Sequence, residues 1–259
     1  MSVRLEHMFY TLVPHKGYAI RAKSPGFDVG DLEGLVRGWY APYDEAMFRR
    51  GLEARYAGKS PGGYIYYARL FLGHALDELK RDGVVSHIAS LGEDEFNEAG
   101  VSFKGIESAM ASYVEREGIG LGDLEPIELE ARAGGEDLDL RYLKASVPEE
   151  QARKLLQGFE KDYPKVLVIY KRGHEERVRL AWGIARLLNY HGLDRFLVFS
   201  DIPMSHVTTL LDHIVVITDK MIPLTVAQDW TIVNIPVSQA QSSRKRRDVD
   251  DTLRRIYGG

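Results

Sequence analysis

The sequence contains no cysteine, which excludes disulfide bonds and every metal site built on thiolates. It also lacks any apolar run that approaches the ~20 residues of a membrane-spanning helix. The opening residues, MSVRLEHMFY, lack the apolar core of a secretion signal. Together these absences predict a cytoplasmic protein with no membrane partner.

Asparagine and glutamine are also scarce, whereas glutamate, arginine and lysine are abundant. This bias is typical of proteins from thermophiles, in which labile amides are avoided and ion pairs cost less desolvation. The net charge is -4, and many of the acidic residues lie between Asp77 and Glu150. Because a surface of this sign repels polyanions, the sequence argues against nucleic acid as a partner.

The chain of 259 residues, 44% of them hydrophobic, is long for one compact core and predicts an α/β protein of two domains. We assign residues 1–148 to a mixed or antiparallel α+β domain. Residues 149–241 are assigned to a Rossmann-like α/β domain, a small doubly wound parallel sheet with helices on both faces. Residues 242–259 are assigned to a basic C-terminal helix or tail.

Strand patterns dominate the first domain. Two short apolar runs flank PHKG in HMFYTLVPHKGYAIRAK and predict a hairpin. The stretches YIYYARLFLG and VVSHIASL are rich in aromatic and β-branched residues and are punctuated by glycines, which favours a second hairpin over one helix from Tyr66 to Arg81. Leu32, Leu35 and Trp39 have helical spacing, and GIESAMASYVEREG predicts another helix. The stretch IELEARAGGEDLDLRYLKAS predicts a strand and a linker.

Strands alternate with helices in the second domain. A helix is predicted to start at Pro148, with Glu149 and Glu150 in its first turn. Four apolar runs follow, KVLVIY, RFLVFS, HIVVIT and TIVNI. Near-continuous apolar runs are typical of parallel strands covered on both faces, and the helical segments between them imply right-handed crossovers.

Polar side chains follow these predicted strands, at the edge where open parallel sheets bind ligands. His174 follows the first strand, Asp201 follows the second, and Asp219 and Lys220 follow the third. Asp201 and Asp219 are candidates to share a metal ion, and His174 is a candidate base. An aspartate after a strand more commonly caps a helix or shapes a turn, and we favour that interpretation.

The turn YKRGHEER has one glycine where phosphate-binding loops have several. Glu175 and Glu176 follow at the predicted helix N-terminus, where an anionic ligand would compete with them. We therefore expect an ordinary capped helix start. Residues 58–63, GKSPGG, lack the upstream glycine and strand of a P-loop and are expected to form a loop.

A metal site is a second candidate, built from His74, Asp77 and His87. These residues lack the tight ligand spacing of known metal sites. Histidines that bond to neighbours in a core are commoner, and we favour that role.

The C-terminal stretch SSRKRRDVDDTLRRIYGG holds the only basic cluster, Arg244 to Arg247, for which a solvated run is favoured over contact with nucleic acid. A short amphipathic helix is predicted to dock on the body of the protein or on a partner, through Val249, Leu253, Ile256 and Tyr257.

The segment PKVLVIYKRGHEERVRLAWGIARLLNYHGLDRFLVFSD, followed by DHIVVITDKMI, resembles the first three strands of TIR and SEFIR domains. The resemblance covers about fifty residues and implies a flavodoxin-like sheet. TIR enzymes that cleave NAD carry a glutamate on a helix after the third strand. Since no glutamate follows Glu176, the resemblance implies the fold without NAD cleavage.

The stretches YTLVPHKGYAIRAKSPGF and YARLFLGHALDELKRDGVVSHIASL resemble the N-terminal domain of the GTPase-associated adaptor proteins. In that family an opening strand pair runs into an SPG-type turn, and an R-x-G…H stretch follows, matched here by Arg81, Gly83, Ser86 and His87. The segment KRDGVV departs from the more usual proline–glycine form. The resemblance implies an adaptor beside a GTPase, with no assigned catalytic residues.

From these patterns we expect a cytoplasmic adaptor or protein-interaction module whose partner is a protein, with a GTPase as the candidate. The alternative is an enzyme or sensor that binds a nucleotide or a metal at the strand ends of the second domain. A non-enzymatic role is favoured, and no catalytic residue or cofactor is assigned. Homo-oligomerisation is left open.

Overall fold

A computed structural model of the chain describes residues 2–13, 15–35, 48, 53–76, 79–130, 137–201, 213–220, 229–236, 253 and 256–257. The chain divides into two compact units, which we call unit 1, Met1–Gly135, and unit 2, Glu136–Gly259. The sequence placed the boundary near residue 148. The contacts therefore assign the helix that precedes residue 148 to unit 2.

Unit 1 contains seven described strands and three described helices. The strands are β1 (Ser2–Val13), β2 (Gly17–Lys23), β3 (Ala54–Lys59), β4 (Tyr64–Gly73), β5 (Gly83–Gly92), β6 (Gly122–Asp123) and β7 (Ile127–Glu130). The helices are α1 (Val29–Leu35), α2 (Glu93–Glu98) and α3 (Phe103–Glu117).

The strands of unit 1 follow the order β3-β4-β5-β1-β2-β6, and β7 pairs with the start of β1. Neighbours are antiparallel except β2 and β6, which are parallel. Both predicted hairpins are confirmed, β1–β2 across PHKG and β4–β5 across the glycine-punctuated stretch. The alternative helix from Tyr66 to Arg81 is wrong, because the β-branched and aromatic composition prevails over helical spacing.

Strand β1 has three partners along its length. Its first residues pair with β7, its middle pairs with β5 and its second half pairs with β2. A bulge between Phe9 and Tyr10 shifts the register against β2. A bulge inserts an extra residue and increases the local twist of the strand.

Helix α3 packs its apolar side, Phe103, Ile106 and Met110, into the core of unit 1. It begins at Ser102, whose side chain accepts a hydrogen bond of 3.1 Å from the Gly105 N–H. Such a cap satisfies one of the orphan N–H groups of the first turn. The helix predicted for GIESAMASYVEREG is thereby confirmed.

The same helix brings a carboxylate into a buried ion-pair network on β3 and β4. Glu107 accepts from the Nε of Arg55 at 2.7 Å and from the Tyr67 hydroxyl at 2.8 Å. Glu53 accepts from Arg69 at 3.0 Å and pairs with Arg55 at 3.1 Å. The Arg55 side chain is only 9% exposed, so its charge depends on these carboxylates for compensation.

Two local predictions for the first half need correction. Gly58 and Lys59 belong to β3, although GKSPGG was expected to be a loop throughout. The second half of the expected linker, LDLRYLKAS, is a helix whose N-cap Asp137 accepts from the N–H groups of Asp139 and Leu140. Part of the predicted helix around Leu32 is present in α1, and its continuation to Trp39 lies outside the described residues.

Unit 2 contains three described helices and four described strands. The helices are α4 (Leu138–Ser146), α5 (Glu149–Phe159) and α6 (His174–Tyr190). The strands are β8 (Lys165–Tyr170), β9 (Phe196–Ser200), β10 (Ile214–Thr218) and β11 (Thr231–Ile235).

The four strands of unit 2 are parallel, as predicted, and follow the order β11-β8-β10-β9. In a flavodoxin-like sheet the first strand of the series lies beside the second. Here β8 lies between β11 and β10, so the order departs from the one that the TIR and SEFIR resemblance implies. The connections after β9 and β10 lie outside the described residues, and the doubly wound arrangement stays a prediction.

Helices α4 and α6 approach each other closely at Gly183. A Cβ atom at this glycine would lie 2.8 Å from Leu143 Cβ and 2.9 Å from the carbonyl oxygen of Asp139. The absence of a side chain at Gly183 therefore permits the contact between α4 and α6.

Helix α5 begins after Pro148, as predicted, and packs on β8 and β11.

The C-terminal stretch is described only at Leu253, Ile256 and Tyr257. Leu253 and Ile256 are buried, and the Tyr257 hydroxyl donates to the Val147 carbonyl at 3.3 Å. These residues dock within unit 2, whereas Val249 and Arg244 to Arg247 lie outside the described residues. In the part of the chain that the structure describes, no helix has the length and apolar character needed to cross a membrane.

Candidate functional site

The candidate site begins where β8 leads into α6. The strand is apolar and buried, and the chain then turns through exposed polar residues to Gly173, the N-cap of α6. The Gly173 N–H donates to Glu176 Oε2 at 3.0 Å, so this carboxylate caps the helix. The expected capped helix start is thereby confirmed, and it places His174 in the first turn with its side chain 26% exposed.

Asp201 lies directly after β9 and has a positive φ of 60°. Aspartate is among the few residues other than glycine that adopt this left-handed conformation at modest cost. The Asp201 N–H donates to the Ile217 carbonyl on β10 at 3.2 Å, which anchors the turn to the neighbouring strand. The turn therefore holds the carboxylate at the carboxyl edge of the sheet.

His174 and Asp201 are joined by a short contact. The Nδ1 atom of His174 lies 2.6 Å from Asp201 Oδ2, and the aspartate side chain is only 16% exposed. A carboxylate at Nδ1 orients an imidazole ring and favours the tautomer with its proton on that nitrogen. The ring can then exchange a proton with another molecule through Nε2.

Arg177 completes the cluster. Its Nε donates to Asp201 Oδ1 at 2.5 Å, and its Nη1 lies 3.6 Å from Asp219 Oδ2 and donates to the Arg172 carbonyl. The structure thus brings together three of the four candidate residues, with Arg177 between the two aspartates. We call His174, Arg177, Asp201 and Asp219 the edge cluster.

The position of Arg177 bears on the metal ion that Asp201 and Asp219 were candidates to share, the less favoured of the two interpretations of these aspartates. A guanidinium held by both carboxylates supplies the positive charge that a cation would bring. A second cation between them would be repelled by the first. Within the described ranges, no group of three or more histidine, aspartate or glutamate side chains is arranged to hold a metal ion.

The sequence interpretation missed Arg177, although a signal for it was present. Residues three apart on a helix lie on one face, so an arginine three positions after His174 points to the same side. Lys220 has a different placement, because its backbone N–H donates to Thr218 Oγ1 at 3.2 Å and its side chain is exposed. Lys220 therefore lies at the same sheet edge but not in the chain of contacts through Arg177.

A pair of tyrosines joins the end of β8 to α4. Tyr170 ends β8, and its side chain hydrogen-bonds with that of Tyr142 on α4. Burial, reinforced by this hydrogen bond, raises the pKa of Tyr142 to about 12. The Tyr142 hydroxyl therefore stays protonated near neutral pH.

The second candidate site does not form a cluster. His74 is 72% exposed in its side chain and pairs with Asp82 at 3.1 Å, whereas His87 is fully buried and bonds to His7. The register pairs His87 with Arg69, and His74 lies beyond the end of β4, on the order of 16 Å further along the strand. Asp77 lies outside the described residues.

No family model matches this chain, and no curated protein matches it.

Proposed function

We propose that unit 2 binds a small polar ligand at the carboxyl edge of its parallel sheet and that His174 exchanges a proton with it. The contact of 2.6 Å between His174 Nδ1 and Asp201 Oδ2 carries this proposal. A histidine oriented by a carboxylate is a recurrent acid–base arrangement, and the sheet edge is where open parallel sheets receive ligands.

The other members of the edge cluster have positioning roles in this proposal. Arg177 is held by Asp201 and by the Arg172 carbonyl, so it fixes the aspartate that orients the imidazole ring. The carboxylate of Asp219 borders the site, and the Asp219 side chain is 46% exposed. His174 is thus the member that would touch the ligand.

Exposed cations suggest the class of ligand. Lys171 and Arg172 follow β8, and Lys220 follows the adjacent strand β10. Cations that follow neighbouring strands favour a ligand with a carboxylate or phosphate group, and nucleotides are one such class. Glu175, exposed at the start of α6, weakens this attraction.

Thermal unfolding of the full chain with ATP, GTP, NAD and inorganic phosphate tests this proposal. A ligand at a hundredfold excess over its dissociation constant stabilises a protein by about 2.7 kcal/mol, which raises the melting temperature. His174→Asn can keep a hydrogen bond to Asp201 but removes the imidazole ring, so we expect it to abolish the rise. His191→Asn, at the other end of α6, should leave the rise intact.

Calorimetry of ligand binding in two buffers with different ionisation enthalpies tests the proton exchange. We expect the measured binding enthalpy of the wild-type chain to depend on the buffer, because a proton is taken up or released on binding. The proposal is wrong if no ligand of the panel shifts the melt, if the enthalpy is the same in both buffers, or if His174→Asn binds with unchanged affinity.

An adaptor role for unit 1 is our second candidate. It is favoured by large apolar side chains that are exposed around β2, where Tyr18 is 40%, Ile20 is 37% and Leu121 is 64% exposed. Exposed apolar side chains that lie together mark protein–protein contacts in many proteins. A GTPase remains the partner suggested by the family resemblance.

Size-exclusion chromatography of the full chain with purified GTPases from the same organism tests the adaptor role. We expect one of them to co-elute with the full chain in one nucleotide state. Ile20→Glu should weaken the complex, whereas Leu79→Glu, an exposed apolar position in the β4–β5 turn, should not. Failure of every such GTPase to co-elute would remove the GTPase from this proposal.

A further inference from the structure

Two buried side-chain nitrogens on adjacent strands of unit 1 have no hydrogen-bond partner among the described residues. They are Nδ1 of His87 on β5 and Nε of Arg69 on β4. The two residues lie directly opposite each other in the antiparallel ladder, so their side chains leave the same face of the sheet with Cβ atoms about 5 Å apart. Because buried polar atoms are nearly always hydrogen-bonded, this pair of nitrogens points to a bound group.

The hydrogen bonds of His7 determine which of its ring nitrogens carries the proton. The Glu125 backbone carbonyl can only accept, so His7 Nε2, at 2.9 Å from that oxygen, is protonated. Burial lowers the pKa of both His7 and His87 below the ordinary value of 6.5, so both rings are neutral at neutral pH. A neutral imidazole carries one proton, and His7 Nδ1 is therefore an acceptor.

The tautomer of His87 follows from that of His7. Since His7 Nδ1 accepts, the proton in the contact of 3.1 Å between the rings belongs to His87 Nε2. His87 Nδ1 then carries a lone pair and no proton. This nitrogen is an acceptor that lacks a donor, on a fully buried ring that stacks on Phe9.

Arg69 has the complementary requirement. Its Nη2 atom donates to Glu53 at 3.0 Å, and its guanidinium lies 5.7 Å from the centre of the Phe71 ring. The Nε–H group is a permanent donor, and Glu107 Oε1 lies 3.9 Å from it, too far for a direct hydrogen bond. Polar groups separated by more than about 3.5 Å are often bridged by a water molecule.

We propose that one buried water molecule binds between Arg69 and His87, where it accepts from Arg69 Nε and donates to His87 Nδ1 and to Glu107 Oε1. Buried waters typically make about three hydrogen bonds, which this arrangement supplies. Glu107 Oε1 also accepts from Arg55 Nε, and a carboxylate oxygen has lone pairs for two donors.

The chemistry of the two nitrogens selects water over an ion. A cation would be repelled by the guanidinium of Arg69. A simple anion could accept from Arg69 but has no proton to donate to the lone pair of His87. The site therefore needs a molecule that both accepts and donates. With water bound, one chain of hydrogen bonds links the ion-pair network under α3 to the histidine pair and ends at the Glu125 carbonyl.

The tautomers of the two histidines test the donor and acceptor assignment. Long-range nitrogen–proton correlation spectra of the full chain at neutral pH should show His7 and His87 each with a proton on Nε2 and none on Nδ1. His87→Leu identifies the signals of that ring. A protonated His87 Nδ1 at neutral pH would overturn the proposal, because that atom could not accept from the water.

Magnetic relaxation dispersion of the solvent counts the long-lived buried waters. Arg69→Met follows the stem of the arginine but removes the Nε–H donor, so we expect it to hold about one buried water fewer than the wild-type chain. Arg4→Lys, at a position on β1 whose side chain is 64% exposed, should leave the number unchanged. Equal numbers in Arg69→Met and the wild-type chain would overturn the proposal.

A crystal structure of the wild-type chain that resolves ordered water decides the matter if Arg69→Met does not fold. We expect density for one water within about 3.2 Å of both Arg69 Nε and His87 Nδ1. A direct contact between the two nitrogens, or no density between them, would show that the site does not exist.

Discussion

His7 on β1 and His87 on β5 share a hydrogen bond of 3.1 Å between Nδ1 and Nε2 in the interior of unit 1. His7 also contacts the Glu125 carbonyl through Nε2 at 2.9 Å, and the His87 ring stacks on Phe9. Both side chains are fully buried. This hydrogen bond needs one protonated and one unprotonated ring nitrogen, so it is lost when both of these nitrogens carry a proton.

The pair predicts an acid-sensitive unit 1. Burial lowers the pKa of both histidines below the ordinary value of 6.5, and for His87 the neighbouring His7 and Arg69 lower it further. Because the folded state binds protons less readily, its stability is complete above pH 6.5 and falls as the pH drops below that value. Each histidine should contribute a slope of up to about 1.4 kcal/mol per pH unit.

Urea unfolding between pH 7.5 and 5, followed by a probe of unit 1, measures this loss. His87→Leu removes one titrating ring and should flatten the pH dependence, even if it lowers the stability at neutral pH. His15→Asn, an exposed histidine whose positive φ of 61° asparagine tolerates, should leave the slope unchanged. A pH-independent free energy of unfolding in the wild-type chain would contradict the prediction.

Glu107 is predicted to be a main stabilising residue of unit 1. Glu107→Ala leaves the buried Arg55 without the carboxylate that accepts its Nε, and loss of one partner from a buried pair costs about 3–5 kcal/mol. Glu115→Ala, on an exposed position of the same helix, should change the free energy of unfolding by less than about 0.5 kcal/mol. Equal effects of the two substitutions in chemical denaturation would argue against the network.

Gly183 is predicted to tolerate no side chain. A Cβ there would press against Leu143 Cβ and the Asp139 carbonyl, so Gly183→Ala should destabilise unit 2 by about 1–3 kcal/mol despite the higher helix propensity of alanine. Gly34→Ala in α1, with nothing within 4 Å, is the matched control and should be neutral or stabilising by up to about 1 kcal/mol. Differential scanning calorimetry of the two variants separates these outcomes.

Asp201 offers a test of backbone and charge at one position. Asp201→Asn removes the charge and keeps a residue that suits φ of 60°, whereas Asp201→Ala also adds left-handed strain of about 1 kcal/mol. We therefore expect Ala to be more destabilising than Asn in thermal unfolding. If Asn and Ala have the same melting temperature, the conformation at this turn carries no strain.

Elements of the fold with a strong local pattern could be predicted from the sequence. The apolar runs that became β8, β9, β10 and β11 are too short for helices and rich in β-branched or aromatic residues, so their type follows from composition. Strand β3 was missed because ARYAGK holds glycine and lysine, and only its neighbours bury it. The order of β8 and β10 was not predictable either, since the residues of a parallel strand do not determine which neighbouring strand it pairs with.

The residues of the candidate site could also be predicted only in part. His174, Asp201 and Asp219 were found because Asp201 and Asp219 directly follow strands and His174 follows the turn after β8, and parallel strands bring their carboxyl ends to one edge. Arg177 was missed because it lies one turn into a helix, where an arginine is usually a solvent-exposed residue. Its role depends on two aspartates that are distant in sequence, and only the folded sheet brings those together.

The pairing of β1 with β7 has a consequence for the synthesis of this protein on the ribosome. Ser2 to Leu5 are made long before their partners, Ile127 to Glu130. At about 5–20 residues per second, the start of β1 waits roughly 6–25 s for that partner. During this interval β1 can close only its local hairpin with β2, and later its ladder with β5. A nascent chain of unit 1 should therefore become resistant to protease late and in one step, after β7 has left the exit tunnel.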